Sequence, residues 1–162
     1  MAVKKSIAII GATGQEGNEM AERLAQTDSR LLLISDDLME LQSLAERIIE
    51  ERPSADINTI ECVKDGCWEA DIILLAIQPR QHKEVAEIMR DVATQKIVVG
   101  YRDTIKNTHE NLQHLLPHSR LVYIQDNTIR DEVTITGNDE EANAEIASMF
   151  VSAGYQSIIE NN

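Results

Sequence analysis

Three glycines near the amino terminus, Gly11, Gly14 and Gly17, stand three residues apart directly after a short apolar run. In a strand–turn–helix unit this spacing favours phosphate binding. The first glycine permits a tight turn, the second lets a pyrophosphate approach the backbone, and the third lets the helix pack against the sheet. The helix would offer its first N–H groups and the positive end of its dipole to the anion. The candidate binding residues of this glycine loop are Gly11, Ala12, Thr13, Gly14, Gln15, Glu16 and Gly17.

Glu16 is unusual within this loop. A carboxylate at the start of a helix suits the helix dipole. It would nevertheless repel a bound pyrophosphate unless its side chain points to solvent.

A carboxylate follows at the distance that a dinucleotide site requires. Asp36 lies nineteen positions after Gly17, at the end of a second apolar run, 31–34. In dinucleotide-binding folds an acid there accepts hydrogen bonds from the adenine-ribose hydroxyls. The same carboxylate would repel a 2′-phosphate, so Ser35 and Asp36 are candidate cofactor-binding residues that favour NAD over NADP. An alternative remains open, in which Asp36 and Asp37 simply cap the next helix.

Apolar periodicity divides the chain into alternating strands and helices. The predicted strands are 7–10, 31–34, 55–63, 72–77, 96–101, 120–125, 132–136 and 155–160. The predicted helices are 17–26, 38–52, 80–93, 104–116 and 139–153, with a turn or short helical piece at 64–70. This alternation predicts an α/β fold of Rossmann type, a doubly wound and mainly parallel sheet in three layers, within a single domain, 1–162.

In such a sheet a ligand lies at the carboxyl ends of the strands, where the strand order reverses. The glycine loop should therefore face the loop that follows the most apolar strand, 72–77. The candidate binding residues of this second loop are Ala76, Ile77, Gln78 and Pro79.

The composition of the chain restricts the kinds of partner and the cellular location that we expect for the protein. The net charge of −13 and the pI near 4.6 argue against nucleic acid or an anionic membrane surface as a partner. The sequence has neither a signal-peptide core nor an apolar run of membrane-spanning length, so we expect a cytoplasmic protein. Cys62 and Cys67 have no second cysteine pair, and His109, His114 and His118 have no acidic partner at metal-ligand spacing. No metal site is predicted.

Taken together, three landmarks resemble one known family. They are the glycine loop, the strand 72–77 with its Ala76–Pro79 loop, and the later stretch 116–141. Their order is similar to that in the N-terminal dinucleotide-binding domain shared by pyrroline-5-carboxylate reductase and the deazaflavin-dependent NADP reductases. The resemblance covers nearly all of residues 4–160. It implies an NAD(P)-dependent oxidoreductase, with a pyrophosphate on the glycine loop and Asn127 and Thr128 near the nicotinamide.

The chain departs from the pattern of these reductases at two places. NADP-dependent relatives often carry Ser-Arg or Asn-Arg after the second strand, whereas this chain has Ser35 and Asp36. We therefore predict NAD as the cofactor, with NADP less favoured. In pyrroline-5-carboxylate reductase a helical domain follows and supplies most of the substrate site, whereas this sequence ends at Asn162, so we do not expect proline synthesis by this chain alone. A non-catalytic dinucleotide-binding sensor or partner subunit is the alternative.

No catalytic residue can be assigned from the sequence. The candidates near the expected crevice are Gln78, Arg80, His82, Tyr101 and Asn127, and each also has a purely structural interpretation, such as an exposed helix position for His82. Because the cofactor carries the hydride chemistry, a missing proton donor does not exclude an enzyme. The expected partner is a small-molecule substrate or a redox partner. A homodimer is possible through Met149, Phe150 and Val151, although burial of this helix against the sheet is the commoner explanation.

Overall fold

Alternating strands and helices run through the chain, of which a computed structural model describes residues 4–102, 108–127 and 129–160. The strands are β1 Lys5–Ile10, β2 Ser29–Ile34, β3 Asp56–Ile60, β4 Ile72–Leu75, β5 Ile97–Tyr101, β6 Arg120–Asn127, β7 Glu132–Thr136 and β8 Gln156–Ile159. The helices are α1 Gln15–Leu24, α2 Leu38–Glu51, α3 Val63–Glu69, α4 His82–Met89, α5 Thr108–Leu115 and α6 Glu140–Ser152, with a single 3-10 turn at Pro79–Gln81. Three predictions fall outside the described residues. They concern the start of the predicted helix 104–116, at 104–107, the residue Thr128 and the side chain of His109.

The eight strands form one sheet in the order β3-β2-β1-β4-β5-β6-β7-β8. Strands β1 to β6 are parallel, β7 runs antiparallel to β6, and β8 is parallel to β7. This topology confirms the predicted doubly wound, mainly parallel sheet. The strand order reverses between β1 and β4, so a crevice opens where the carboxyl ends of these two strands separate.

The sheet is covered by helices on both faces, which confirms the three layers. Ile7 and Ile9 of β1 belong to the apolar cluster beneath α1, α2 and α6. Ala8 and Ile10 of the same strand belong to the cluster beneath α3, α4 and α5. Because successive residues of β1 are buried on opposite faces of the sheet, its sequence is a continuous apolar run rather than an alternation of apolar and polar residues. None of the described helices has the length and apolarity needed to cross a membrane.

Two helices begin at residues other than the predicted ones. Helix α1 begins two residues early, because Gly14 adopts an extended conformation and acts as its N-cap. The predicted helix 80–93 begins instead as the 3-10 turn, and Gln78 and Gln81 cap each other's backbone there.

In α6, Phe150 is fully buried in the core whereas Val151 is 59% exposed. The proposed apolar patch is thus mainly core, and a homodimer stays a prediction.

Candidate functional site

The turn after β1 is tied to both neighbouring strands. The N–H groups of Gly11 and Ala12 donate to the Ile34 carbonyl at the end of β2, each at 3.0 Å. Gly11 has a φ of +85°, and a Cβ added there would lie 2.4 Å from the carbonyl oxygen of Ala76. Only glycine satisfies both conditions, since a side chain would be strained at this φ and would collide with the backbone after β4.

The other two glycines of the loop differ sharply in the space around them. A Cβ on Gly17 would lie 2.1 Å from the Gly11 carbonyl oxygen, so α1 can pack this closely only without a side chain there. A Cβ on Gly14 would meet only that same oxygen, at 3.4 Å. No side chain caps the helix at Gly14. The cap residue therefore offers no side-chain acceptor to the first N–H groups of α1, and the space beside Gly14 is open, an arrangement that suits an anion.

These segments line a cleft of about 550 Å³ at the carboxyl edge of β1, β2 and β4. Of the predicted site residues, the glycine loop contributes Gly11, Thr13, Gly14, Gln15 and Glu16. The turn after β2 contributes Ser35 and Asp36, and the loop after β4 contributes Ala76, Ile77 and Gln78. The tertiary structure thus gathers three segments that lie far apart in the sequence.

Four predicted residues do not line this cleft. Ala12 and Gly17 are buried behind the loop, and Pro79 opens the 3-10 turn beside it. Asn127 lies at the end of β6 along a separate shallow groove, where its side-chain oxygen accepts from the N–H groups of Ile129 and Arg130, each at 3.2 Å. The described residues therefore do not bring Asn127 to the glycine loop, and its role near the nicotinamide stays a prediction.

The two aspartates after β2 have separate environments. The carboxylate of Asp37 accepts from the Glu40 N–H at 3.1 Å and so caps α2. The Ser35 hydroxyl shares a 2.5 Å hydrogen bond with the Thr13 hydroxyl and accepts from the Asp37 N–H at 3.2 Å. Since Asp37 provides the cap, Asp36 is left at the cleft surface for a ligand.

One wall of the cleft could not be inferred from local sequence. Val63 from the start of α3 and Gln81 and Val85 from the region after β4 also line it. Val85 belongs to an apolar helical stripe, a pattern that equally fits an ordinary core position. The two valines face the cleft only because α3 and α4 pack side by side.

Beyond the glycine loop, polar groups collect at the ends of β5 and β6. The Tyr101 hydroxyl is buried and has no hydrogen-bond partner among the described residues. Burial raises the pKa of Tyr101, and the carboxylates of Asp126 and Glu16 raise it further. Loss of hydration raises the pKa of Glu16, and Asp126 adds to this shift; burial also raises the pKa of Asp126. These groups therefore form an acidic neighbourhood at the first turn of α1.

The remaining catalytic candidates lie away from the cleft lining. His82 is buried, only 4% exposed, at the start of α4, so the expectation of an exposed helix position is wrong. Arg80 is exposed on the 3-10 turn. Within the described residues, no group of three His, Cys, Asp or Glu side chains is arranged to hold a metal ion.

Comparisons with known proteins agree with this architecture. The family model described as "NADP oxidoreductase coenzyme F420-dependent" matches residues 6–101, more than half of the chain. A comparison with curated proteins finds no match. Among solved structures, a putative F420-dependent NADP reductase from Arthrobacter sp. FB24 is 19% identical with a TM-score of 0.77, and the match covers 97% of this chain and 84% of that one.

Two longer reductases share the fold as well. Pyrroline-5-carboxylate reductase from Coxiella burnetii is 19% identical with a TM-score of 0.77, over 99% of this chain and 60% of that one. Plasmodium falciparum pyrroline carboxylate reductase with NADP bound is 14% identical with a TM-score of 0.69, over 98% of this chain and 57% of that one. The chain thus spans less than two thirds of the length of either protein.

Proposed function

The chain belongs to the family of coenzyme F420-dependent NADP oxidoreductases, and on this premise we propose that its cleft binds a nicotinamide dinucleotide, preferentially NAD(H), for hydride transfer. The family consists of NAD(P)-binding oxidoreductases, which confirms the sequence-based prediction of function at that level. It also disfavours a non-catalytic sensor.

The open space at Gly14 is the observation that carries the assignment of the cleft. The loop brings backbone rather than side chains to the start of α1, and the added-Cβ contact of 3.4 Å leaves this space clear. A pyrophosphate there would accept from the first N–H groups of the helix, including that of Gln15, and would meet the positive end of the helix dipole. The residues present therefore fit the phosphates of a dinucleotide.

The β2 side of the cleft fits an adenosine. Asp36 can accept hydrogen bonds from the ribose hydroxyls, because the capping role belongs to Asp37. Val63 and Val85 offer apolar surface for the flat faces of a base. The hydrogen bond between Thr13 and Ser35 holds the glycine loop against the end of β2, so the phosphate and ribose positions stay in fixed relation.

The charges of the cleft support NAD(H) over NADP(H), although the family description names NADP. The lining contains the carboxylates of Glu16, Asp36 and Asp37, and none of the described lining residues is Lys or Arg. A 2′-phosphate would add roughly two negative charges beside Asp36, with no cation in the lining to pair with them.

In this proposal the protein binds and orients the cofactor and excludes water around it. The nicotinamide itself supplies the hydride when bound. The acceptor is a small molecule or a redox partner that approaches the carboxyl ends of β5 and β6. The apolar base wall and the anion site hold the rest of the dinucleotide in place during this approach.

Calorimetric titration of the purified protein with NADH and with NADPH tests the proposal. We expect NADH to bind at least about tenfold more tightly, since tenfold corresponds to only about 1.4 kcal/mol of charge repulsion. Asp36→Asn keeps the size of the side chain and removes its charge, so it should reduce this preference. Glu46→Gln, on the exposed side of α2, makes the same change of charge away from the cleft and should leave both affinities unchanged.

Two results would count against the proposal in different ways. Absence of binding by either dinucleotide would reject the cleft as a cofactor site. Equal or tighter binding of NADPH by the native protein would reject only the preference for NAD(H) and would leave the binding site in place.

A further inference from the structure

The topology separates the two ends of a bound dinucleotide. With the pyrophosphate at Gly14 and the adenosine toward Asp36, the other nucleotide extends across the switch point toward β4, β5 and β6. The first turn of α1 lies above this region. The side chains that β5, β6 and α1 present there would therefore surround the nicotinamide.

Strand alternation determines which side chains these are. Val122 and Ile124 of β6 face the core cluster beneath α1, so Asp126, two residues further along the strand, projects from the same face of the sheet. Asp126 also lines the shallow groove that contains Asn127. Tyr101 of β5 pairs with Ile124 and also packs against that cluster. Glu16, in the first turn of α1, lines the cleft.

The ion pair between Arg23 of α1 and Asp131, in the turn after β6, holds α1 against this part of the sheet, and the electrostatics agree with this placement. The charged groups that raise the pKa of Glu16 are Asp126 and Glu19, both acidic. The guanidinium of Arg23, one turn further along α1, forms an ion pair with Asp131 and lies over the ring of Tyr155 at 4.7 Å. That cation is thus engaged elsewhere. The buried Tyr101 hydroxyl has no hydrogen-bond partner among the described residues.

We propose that Glu16 and Asp126 form an anionic wall beside the nicotinamide that favours the oxidised cofactor over the reduced one. The proposal rests on the proposed function. When the reduced nicotinamide gives its hydride to the acceptor, the ring changes from neutral to a single positive charge. Carboxylates near the ring stabilise the cation and leave the neutral ring nearly unaffected.

The preference has a direct redox consequence. A form that binds more tightly is stabilised relative to its redox partner, so tighter binding of the oxidised form lowers the reduction potential of the bound couple. For a two-electron couple, each tenfold difference in affinity corresponds to about 30 mV. Cofactor bound at this site would therefore be a stronger hydride donor than free NADH.

Repulsion between Glu16 and a bound pyrophosphate does not affect the comparison of the two redox forms. Any repulsion between Glu16 and the pyrophosphate is the same for both redox forms, because both carry the same phosphates. The ratio of the two dissociation constants cancels this contribution and isolates the effect of the ring charge. That ratio is therefore the quantity to measure.

Titrations with NAD⁺ and NADH on the native protein, Glu16→Gln, Asp126→Asn and the double variant test the proposal. At about pH 8 and low ionic strength, each single variant should weaken NAD⁺ binding relative to NADH roughly three- to tenfold, and the double variant should do so further. Added salt should likewise reduce the preference of the native protein for NAD⁺ over NADH. Glu46→Gln serves as the matched control and should leave the ratio unchanged, and thermal melting verifies that each variant is folded.

The outcomes distinguish this inference from the proposed function. If NADH still binds but the NAD⁺/NADH ratio is the same in the native protein, in Glu16→Gln and in the double variant, the anionic wall is rejected and the cofactor site stands. Glu16 is exposed, so its variant is expected to fold even if Asp126→Asn does not. If the native protein binds neither form, the proposed function fails and the inference fails with it.

Discussion

Replacing Gly14 by Asp should separate cofactor binding from folding. Gly14 has φ −71° and ψ 167°, a conformation open to any residue, and an added Cβ meets nothing closer than 3.4 Å. Asp is also among the preferred N-cap residues, so its side chain can accept from the first turn of α1. The free energy of unfolding should therefore change by less than about 1 kcal/mol, and the change should be toward stabilisation.

The same substitution should abolish dinucleotide binding. The new carboxylate would occupy the space proposed for the pyrophosphate and would compete for the same N–H groups. A unit charge about 4 Å from another of like sign costs about 4 kcal/mol at an effective dielectric constant of about 20. Screening by salt reduces this repulsion. We therefore expect a loss of affinity of at least about a hundredfold, equivalent to about 2.7 kcal/mol.

Calorimetric titration with NADH measures the loss of affinity, and urea unfolding of the free protein measures its stability. Gly14→Asn is the matched control, because it has nearly the same size and capping ability without the charge. It should weaken binding less than Gly14→Asp does. If Gly14→Asp binds NADH within about threefold of the native protein, the pyrophosphate does not lie at Gly14. If instead its stability falls by several kcal/mol, the space seen beside this residue is not available.

Two further substitutions test local structure, one in the glycine loop and one at the start of α6. Gly17→Ala puts a Cβ 2.1 Å from the Gly11 carbonyl and 2.8 Å from the Ala12 Cα, so it should destabilise the protein by about 2 kcal/mol in urea unfolding despite the better helix propensity of Ala; an unchanged midpoint would contradict this packing. Asp139 caps α6, and its hydrogen bond with Arg120 lowers the pKa of its carboxyl group to about 2. The contribution of this carboxylate to the free energy of unfolding is therefore present above about pH 4 and is lost as the pH falls through about 2. Asp139→Ala should therefore cost about 1 kcal/mol at neutral pH and progressively less toward pH 2, and an equal cost at both pH values would refute the coupling.

Much of the fold could be predicted because the relevant information is local. The apolar runs 7–10, 31–34 and 72–77 correspond to strands buried on both faces, and such strands are recognisable from composition alone. The order of strands and helices then restricts the topology to a doubly wound sheet. The boundaries were less accurate near Gly14 and Pro79, where a cap and a 3-10 turn decided the start of each helix.

The candidate site, like the fold, could be predicted from the sequence only where it depends on local stretches of chain. The glycine spacing and the acid after β2 predicted that the glycine loop and Asp36 share a site, and both line the same cleft. This could be predicted because both depend on short stretches of chain with defined backbone geometry. The interpretation of Asp37 as the cap of the next helix is confirmed. The ribose role of Asp36 stays a prediction. Residue type also suggested an exposed position for His82, whereas this residue is buried at the start of α4.

The sequence by itself determined the elements, the fold class and the tight three-glycine turn after β1, because strand burial, helix periodicity and glycine geometry are properties of neighbouring residues. Only the tertiary structure placed Val63 and Val85 on one wall of the cleft and gathered Glu16, Tyr101 and Asp126 beyond the loop. The physical reason is that these contacts join residues far apart in the chain. Their positions follow from strand order, register and helix packing across the whole sheet, which no local pattern encodes.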